Sequence, residues 1–206
     1  MDKYNVKLDS DTENRILNSA KHIFQTKGLS GARMQEIADE AGINKAMLHY
    51  YFRTKDKLFE AVFKEAAERF FPKIMELFNG ELPLFEKIER FIDGYITLLN
   101  ENCFMPSFLL NEINQNPERL KKFFSDQNIK PPQSFIQQII LAVEYGEIKP
   151  IDPRQLMMNI ISLCIFPIVA KPIIETILNI SEEQYQAIIE MRKKEVAKFI
   201  INAIKV

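Results

Sequence analysis

Between Arg33 and Lys57 the side chains able to bond a phosphate or the edge of a base are crowded together. Arg33, Met34, Gln35, Asn44, Lys45, Ala46, Met47, His49, Tyr50, Tyr51 and Lys55 are the candidate contact residues for double-stranded DNA. Lys45, Arg53, Lys55 and Lys57 are four cations against the single acid Asp56, a local excess of three positive charges. Cations of this kind supply the sequence-independent part of affinity for a phosphate backbone, and hydroxyls, amides and imidazoles add bonds to phosphates and base edges. Small side chains such as Ala46 let a helix backbone approach the bases. Nothing comparable is available for catalysis. The chain has two His and two Cys, with no metal-ligand spacing and no Gly-rich phosphate loop. Paired acids such as Asp39 and Glu40 fall on an exposed helix face. No enzymatic activity, no cofactor and no metal are expected.

Two short helices joined by a tight turn must hold these groups. Met34, Ile37, Ala38 and Ala41 form the apolar stripe of a helix over about 33–41. Gly42 supplies the turn, because it takes a positive φ without steric cost. Asn44 is a good N-cap for a following helix over about 45–52. At about 100° per residue, setting Leu48 toward the core brings Asn44, Tyr51 and Phe52 near the same side. Ala46, Met47, His49 and Tyr50 then point outward, with Lys45 at the flank. An exposed helix face normally carries Glu and Lys. This one is small, aromatic or basic, and has no acid between Asn44 and Arg53.

The rest of the 206 residues reads as helical. Apolar residues make up 47 %, enough for a substantial core, and only 6 Gly interrupt the chain. The net charge of −1 argues against a non-specific nucleic-acid coat, so DNA binding must come from a local patch. No charged segment leads into an apolar stretch at the N-terminus, and cytoplasmic placement is expected. Cys103 and Cys164 are read as reduced core thiols. The apolar run from Gln155 to Ala170 is shorter than the ~20 residues that a bilayer needs, so a buried helix is expected and no membrane contact.

The first helix is expected from about Ser10, where Ser10 and Glu13 make a capping box, to Gly28. Its stripe is Ile16, Leu17, Ala20, Ile23 and Phe24, and His22 faces solvent. Thr54 caps a long helix to about Phe78, and Asn79-Gly80 breaks the chain. Further helices are expected over about 84–100, 106–115, 117–124 and 133–145, and from Pro153 to about Ala170 or beyond; Asn116-Pro117 and Asp152-Pro153 read as cap and first turn, and Pro167 and Pro172 kink or end the last helix. Ser181 with Gln184 caps the final helix. Its stripe runs from Tyr185 through Ile188, Ile189, Val196, Phe199, Ile200 and Ala203 to Ile204.

The run from Ile37 to Leu58 resembles the TetR/AcrR family signature, commonly written IAxxAGVSxGxLYxHFxxKxxL. The spacing of Ala20, Ile23, Phe24 and Gly28 fits the family's first helix. The resemblance covers about the first quarter of the chain. It implies an all-α fold: an N-terminal three-helix DNA-binding domain with a helix-turn-helix (residues 9–69). A long helix joins it to a larger helical ligand-binding and dimerisation domain (residues 70–206). It implies that Lys45 and Tyr50 contact bases or backbone in the major groove, that His49 and Tyr51 contact phosphates, and that Lys55 clamps a phosphate. Three positions depart from the pattern. His49 stands where Tyr is usual, Ala46 replaces a common Gly, and Arg33 stands where a Thr often caps the second helix.

The resemblance also implies a cavity for a small-molecule effector. Phe70, Met75, Phe78, Phe91, Tyr95, Phe104, Phe108, Phe123, Phe135, Met158 and Phe166 are the candidate lining residues, suited to a large apolar or aromatic ligand. Asn111, Glu112, Asn114 and Gln115 read as a solvated helix end. The last two helices, with Ile160, Ile161, Leu163, Ile165 and Ile168 upstream, carry more apolar surface than a monomer needs. They are expected to form half of a homodimer's four-helix bundle. A two-fold dimer reads a near-palindromic operator. The expected activity is that of a transcriptional repressor released by its ligand. The competing readings are an architectural DNA binder and a helical protein-interaction module.

Overall fold

A computed structural model describes the backbone of residues 3–78, 81–115 and 117–206, and their side chains except at 3–10, 104, 107, 108, 111, 112 and 115. The described residues form eleven helices and two compact units, Met1–Arg69 and Phe70–Val206. The expected break at Asn79-Gly80 and the cap at Asn116 lie outside the described residues. So do the side chains of Phe104, Phe108, Asn111, Glu112 and Gln115. Asn114 is exposed.

In the first unit, α1 (Lys3–Gly31) starts upstream of the predicted cap. The backbone at Ser10 therefore lies inside the helix. Gly28 breaks α1 where the sequence predicts its end: its φ of 67° is non-helical, and the chain then makes one more turn to Gly31. The helices α2 (Met34–Glu40) and α3 (Lys45–Tyr51) follow. Ile16 and Ala20 of α1, Ile37 and Ala38 of α2, and Leu48 of α3 are fully buried. Leu58 of α4 (Lys55–Leu77) joins them, and Phe24 meets Phe59 edge-on at 5.0 Å. The predicted cap of α4 is present, with Thr54 Oγ1 accepting from the Lys57 N–H at 3.2 Å. This helix runs past Arg69 into the second unit and contains Pro72, which has no N–H for the carbonyl four residues back.

The second unit is built on α5 (Leu84–Glu101), whose buried face includes Ile88, Phe91, Ile92, Tyr95, Ile96 and Leu99. Helices α8 (Gln133–Glu144), α9 (Pro153–Val169) and α11 (Glu182–Ile204) pack on it. The short helices α6 (Phe104–Gln115) and α7 (Pro117–Asp126) pack on each other. Two predicted caps are in place. Asp152 accepts from the Arg154 N–H at 2.8 Å, and Ser181 and Gln184 form a reciprocal box. The described residues contain no strand, only an isolated bridge between Ile148 and Lys205 near the C-terminus.

Several expectations need correction here. Helix α9 runs past Pro167 to Val169, close to the expected end, but the chain after it is helical too. It bends by 71° into a separate helix, α10 (Lys171–Leu178), with Pro172 in its first turn, where a missing N–H costs nothing. No single helix among the described residues is long and apolar enough to cross a membrane, though α9 and α10 together pass by length and composition. Nor is α9 buried all round: Leu156, Ile160, Cys164 and Ile168 face the core, while Met158, Ile161 and Phe166 are exposed. The α11 stripe also divides. Tyr185, Ile189, Val196, Ile200 and Ile204 are buried within the subunit, and Met191, Phe199 and Ala203 are exposed. Cys103 is exposed, not a core residue. Burial pushes the Cys164 thiol up to about 12, so it stays protonated.

Pro167 lies inside α9 and leaves the Leu163 carbonyl without its usual helical donor. Arg192 of α11 replaces it: Nη2 donates to the Leu163 carbonyl at 2.8 Å. Tyr185 donates its hydroxyl to the Pro167 carbonyl at 3.0 Å, next to the bend. Two α11 side chains thus repair what the proline and the helix end remove. Arg192→Leu leaves a part-buried carbonyl unpaired and is expected to destabilise the protein by about 1–3 kcal/mol in urea titration. Arg192 Nε is buried without a partner. Arg192→Lys, which lacks that N–H, is expected to lose less.

Candidate nucleic-acid interface

The turn between α2 and α3 is held by the backbone. The Gly42 N–H donates to Asp39 and the Ile43 N–H to Ala38, the paired bonds of a left-handed helix termination. Gly42 has a φ of 65°, as its residue type predicts. A Cβ added there would lie 2.9 Å from Arg15 Nη2, whose guanidinium donates to the Ala41 carbonyl. Arg15 thus ties α1 to the turn. Sequence reasoning missed it, because nothing in a helical Arg's own position says how far its side chain reaches. Gly42→Ala must both hold a positive φ and displace this guanidinium. It is expected to cost about 1–2 kcal/mol, read as a Tm lower by several degrees and a weaker DNA complex.

Asn44 caps α3 through its Oδ1, which accepts from the Met47 N–H at 2.7 Å. Its amide NH2 points to no acceptor in this bond and remains a donor. Leu48 is 0 % exposed and Phe52 is buried, so α3 is sealed on one side. Lys45, Ala46, Met47 and His49 are exposed, and Tyr50 is 80 % exposed, far more than its size requires for packing. Tyr51 is half-buried, with its ring edge against Tyr50 at 5.5 Å. His49 Nδ1 lies 3.2 Å from the Arg53 carbonyl. That bond needs the proton on Nδ1, which leaves Nε2 a phosphate donor only in the imidazolium form.

The other candidates are placed less simply. Arg33 is the N-cap residue of α2, makes no side-chain cap bond and is exposed. Met34 is half-buried. Gln35 is exposed, but its Nε2 donates to Asp39 at 2.7 Å. The Lys55 ammonium donates to the carbonyls of Ala32 at 3.1 Å and Ser30 at 3.5 Å. The last turn of α1 leaves carbonyls without helical donors, and a cation satisfies them. Nearby acids are matched within the unit. Lys27 pairs with Glu36 at 3.1 Å and holds that carboxyl below its ordinary range, and exposed His22 meets Glu40 at 2.7 Å.

The aromatic candidates of the second unit separate into three groups. Phe78, Phe91, Tyr95 and Phe135 form a packed core cluster, with Phe78 stacked on Phe91 at 4.2 Å. Phe70 is buried and meets Phe71, which in turn touches half-buried Phe123 and Phe124; Met75 is half-buried. Met158 and Phe166, the latter 65 % exposed, do not join an interior wall, because the side of α9 that they occupy faces away from α5 and α11. A groove of 360 Å³ lies elsewhere, between the distal part of α4 and α5. Lys73, Glu76, Arg90, Asp93, Thr97 and Glu101 give it a charged lining.

Residues 16–62 match the family model described as bacterial regulatory proteins, tetR family. The chain is 27 % identical over 139 residues to the probable HTH-type transcriptional regulator YttP of Bacillus subtilis (strain 168), spanning 66 % of this chain and 65 % of that protein. Over 51 residues it is 39 % identical to the HTH-type transcriptional repressor NicS of Pseudomonas putida, 25 % of this chain and 24 % of that one. Among solved structures it resembles the transcriptional regulator FadR from Bacillus subtilis in complex with stearoyl-CoA. The TM-score is 0.62 at 17 % identity, over 91 % of this chain and 96 % of that one, a likeness of fold.

Proposed function

The chain belongs to the TetR family of bacterial regulatory proteins, and from that premise we propose that it is a homodimeric repressor of transcription released from a near-palindromic operator by a small apolar or aromatic ligand. The observation that carries the DNA part is the asymmetry of α3. One side is sealed by Leu48, and the other presents Lys45, Ala46, Met47, His49 and Tyr50 without an acid. In this reading Lys45 and Tyr50 enter the major groove. Asn44, His49 and Tyr51 bond phosphates, and Arg33, Met34 and Gln35 line the approach of α2. Lys55 holds the end of α1, or leaves it for a phosphate when DNA arrives beside the free N–H groups that open α4.

Control by ligand is supported by the aromatic wealth of the second unit and by the stearoyl-CoA that the FadR structure holds. The cluster of Phe78, Phe91, Tyr95 and Phe135 parts to admit the ligand, with Phe70, Met75 and Phe123 beside it. Helix α4 belongs to both compact units. A ligand that prefers another position of its distal half therefore biases the unit that holds α3. The coupling expected is about 1–3 kcal/mol, or 5–150-fold in operator affinity. The exposed residues Met158, Ile161, Phe166, Met191 and Phe199 are assigned to the interface with a second copy. The test is fluorescence anisotropy of an operator with candidate compounds, beside thermal melts of the free protein. A compound that releases DNA must also stabilise the protein; release without binding contradicts the mechanism.

A further inference from the structure

We infer that DNA binding takes up protons: His49 bridges the Arg53 carbonyl and a backbone phosphate as an imidazolium, so affinity rises as the pH falls through the imidazole range. The inference rests on the reading of α3 as the helix that contacts DNA, and adds the protonation state that the contact needs. The ring is already held at one end. His49 Nδ1 lies 3.2 Å from the Arg53 carbonyl. A carbonyl oxygen only accepts, so Nδ1 carries a proton. In the neutral ring Nε2 is then a bare acceptor, and it repels a phosphate oxygen. Only the imidazolium, with a proton on each nitrogen, bonds both acceptors at once.

The place of His49 on α3 suits a phosphate better than a base. Leu48 faces inward and is fully buried. At about 100° per residue, Ala46 and Tyr50 then take the middle of the outward face. Lys45 and His49, one turn apart, share one flank, and Met47 and Tyr51 share the other. When the middle of a helix faces base edges, its flanks face the phosphate backbones. His49 is exposed and lies in the last turn of α3, where free carbonyls favour a cation. Protonation requires no movement of the ring, because Nδ1 donates to Arg53 in both forms.

The charged groups of the elements around α3 are engaged with one another. On α1, Arg15 is bonded to the Ala41 carbonyl and Lys27 to Glu36 of α2. Also on α2, Asp39 accepts from Gln35 and Glu40 meets His22. On α4, Lys55 bonds the end of α1 and Lys57 pairs with Glu60. The charged groups nearest His49 in sequence are Lys45, Arg53 and Asp56, two cations and one acid. A phosphate is therefore the counter-charge that stabilises the second proton. A group whose proton is held more tightly in the complex adds affinity at low pH, and that gain is lost as the pH rises through its range. A phosphate that tightens the hold about tenfold makes affinity rise roughly fivefold to tenfold per protomer between about pH 8 and about pH 5.5, and by the square of that for a dimer.

The test is fluorescence anisotropy of the full-length protein with a labelled duplex of mixed sequence, at low salt, across that pH range. Phosphate contacts are independent of sequence, so the duplex reads them directly. The wild type is expected to bind at least about fivefold more tightly at the acid end. His49→Gln, whose amide does not titrate, is expected to lose that gain. His49→Lys, a cation throughout, is expected to bind tightly at both ends. His22→Gln, which removes the other of the two histidines, is expected to keep the wild-type profile. Thermal melts at both ends check that the variants fold. Calorimetry in two buffers of different ionisation enthalpy is expected to show proton uptake on binding by the wild type and none by His49→Gln. DNA bound with a flat wild-type profile, a gain that survives in His49→Gln, or one that vanishes in His22→Gln would overturn the inference and leave the DNA reading standing. No binding at any pH would remove both.

Discussion

Lys45→Glu is expected to weaken operator binding by roughly 30-fold to 10⁴-fold, because each lost contact is worth about 1–3 kcal/mol and a dimer loses it twice. Lys45 is the first residue of α3 and is exposed, so its charge contributes to DNA contact and little to folding. The reversal removes a cation and adds an acid to a helix face that has none. The slope of log affinity against log salt should become shallower by about 2, one cation removed from the interface per protomer. Thermal stability should change by less than about 0.5 kcal/mol, the usual range for an exposed site. Tyr50→Ala gives the complementary result. It removes a ring that is 80 % exposed and makes no core contact beyond the edge of Tyr51. Its expected signature is relaxed base preference with a smaller change in salt slope. A Lys45→Glu protein that binds operator as tightly as the wild type would remove α3 from the interface.

Phe199→Glu combined with Met191→Glu is expected to convert the proposed dimer to a monomer in light scattering and to cost operator affinity by about 10²–10⁴-fold, the avidity of linked half-sites. Both side chains are 65 % exposed on α11, away from the buried row of Tyr185, Ile189, Val196 and Ile200. The substitutions therefore place charge at the proposed interface and leave the core untouched. Together with Met158, Ile161, Phe166 and the α10 residues Ile173 and Ile177, they leave more apolar surface uncovered than isolated exposed residues explain. A double variant that stays dimeric would move the interface off this face.

The helix-turn-helix was legible because its constraints are local. Gly42 takes the positive φ that its residue type permits, Asn44 caps the next residue's helix, and Leu48 faces inward at the phase the spacing dictates. The caps at Thr54, Asp152 and Ser181 were legible for the same reason. What failed depends on partners distant in sequence. Periodicity showed that α11 is apolar, but not that one row of it belongs to its own subunit and another faces outward. Phe166 and Met158 have the composition of a pocket wall, yet a buried helix face and an exposed one look alike when both are rich in Met and Phe. Pro167 and Pro172 predict a helix kinked or ended near Ala170, and it ends at Val169; nothing local showed that Arg192, 25 residues after Pro167, supplies a donor to the Leu163 carbonyl. Nor did the sequence show that the Lys55 ammonium reaches carbonyls at the end of α1.

Selection of binding sites from a random double-stranded DNA pool, with wild type and the Lys45→Ala/Tyr50→Ala variant side by side, tests the central claim most directly. The account predicts that the wild type enriches a near-palindrome with half-sites spaced by whole helical turns, and that the variant enriches nothing. Enrichment of the same sequence by both proteins, or of none by a wild type shown by native mass spectrometry to be free of bound ligand, would contradict it.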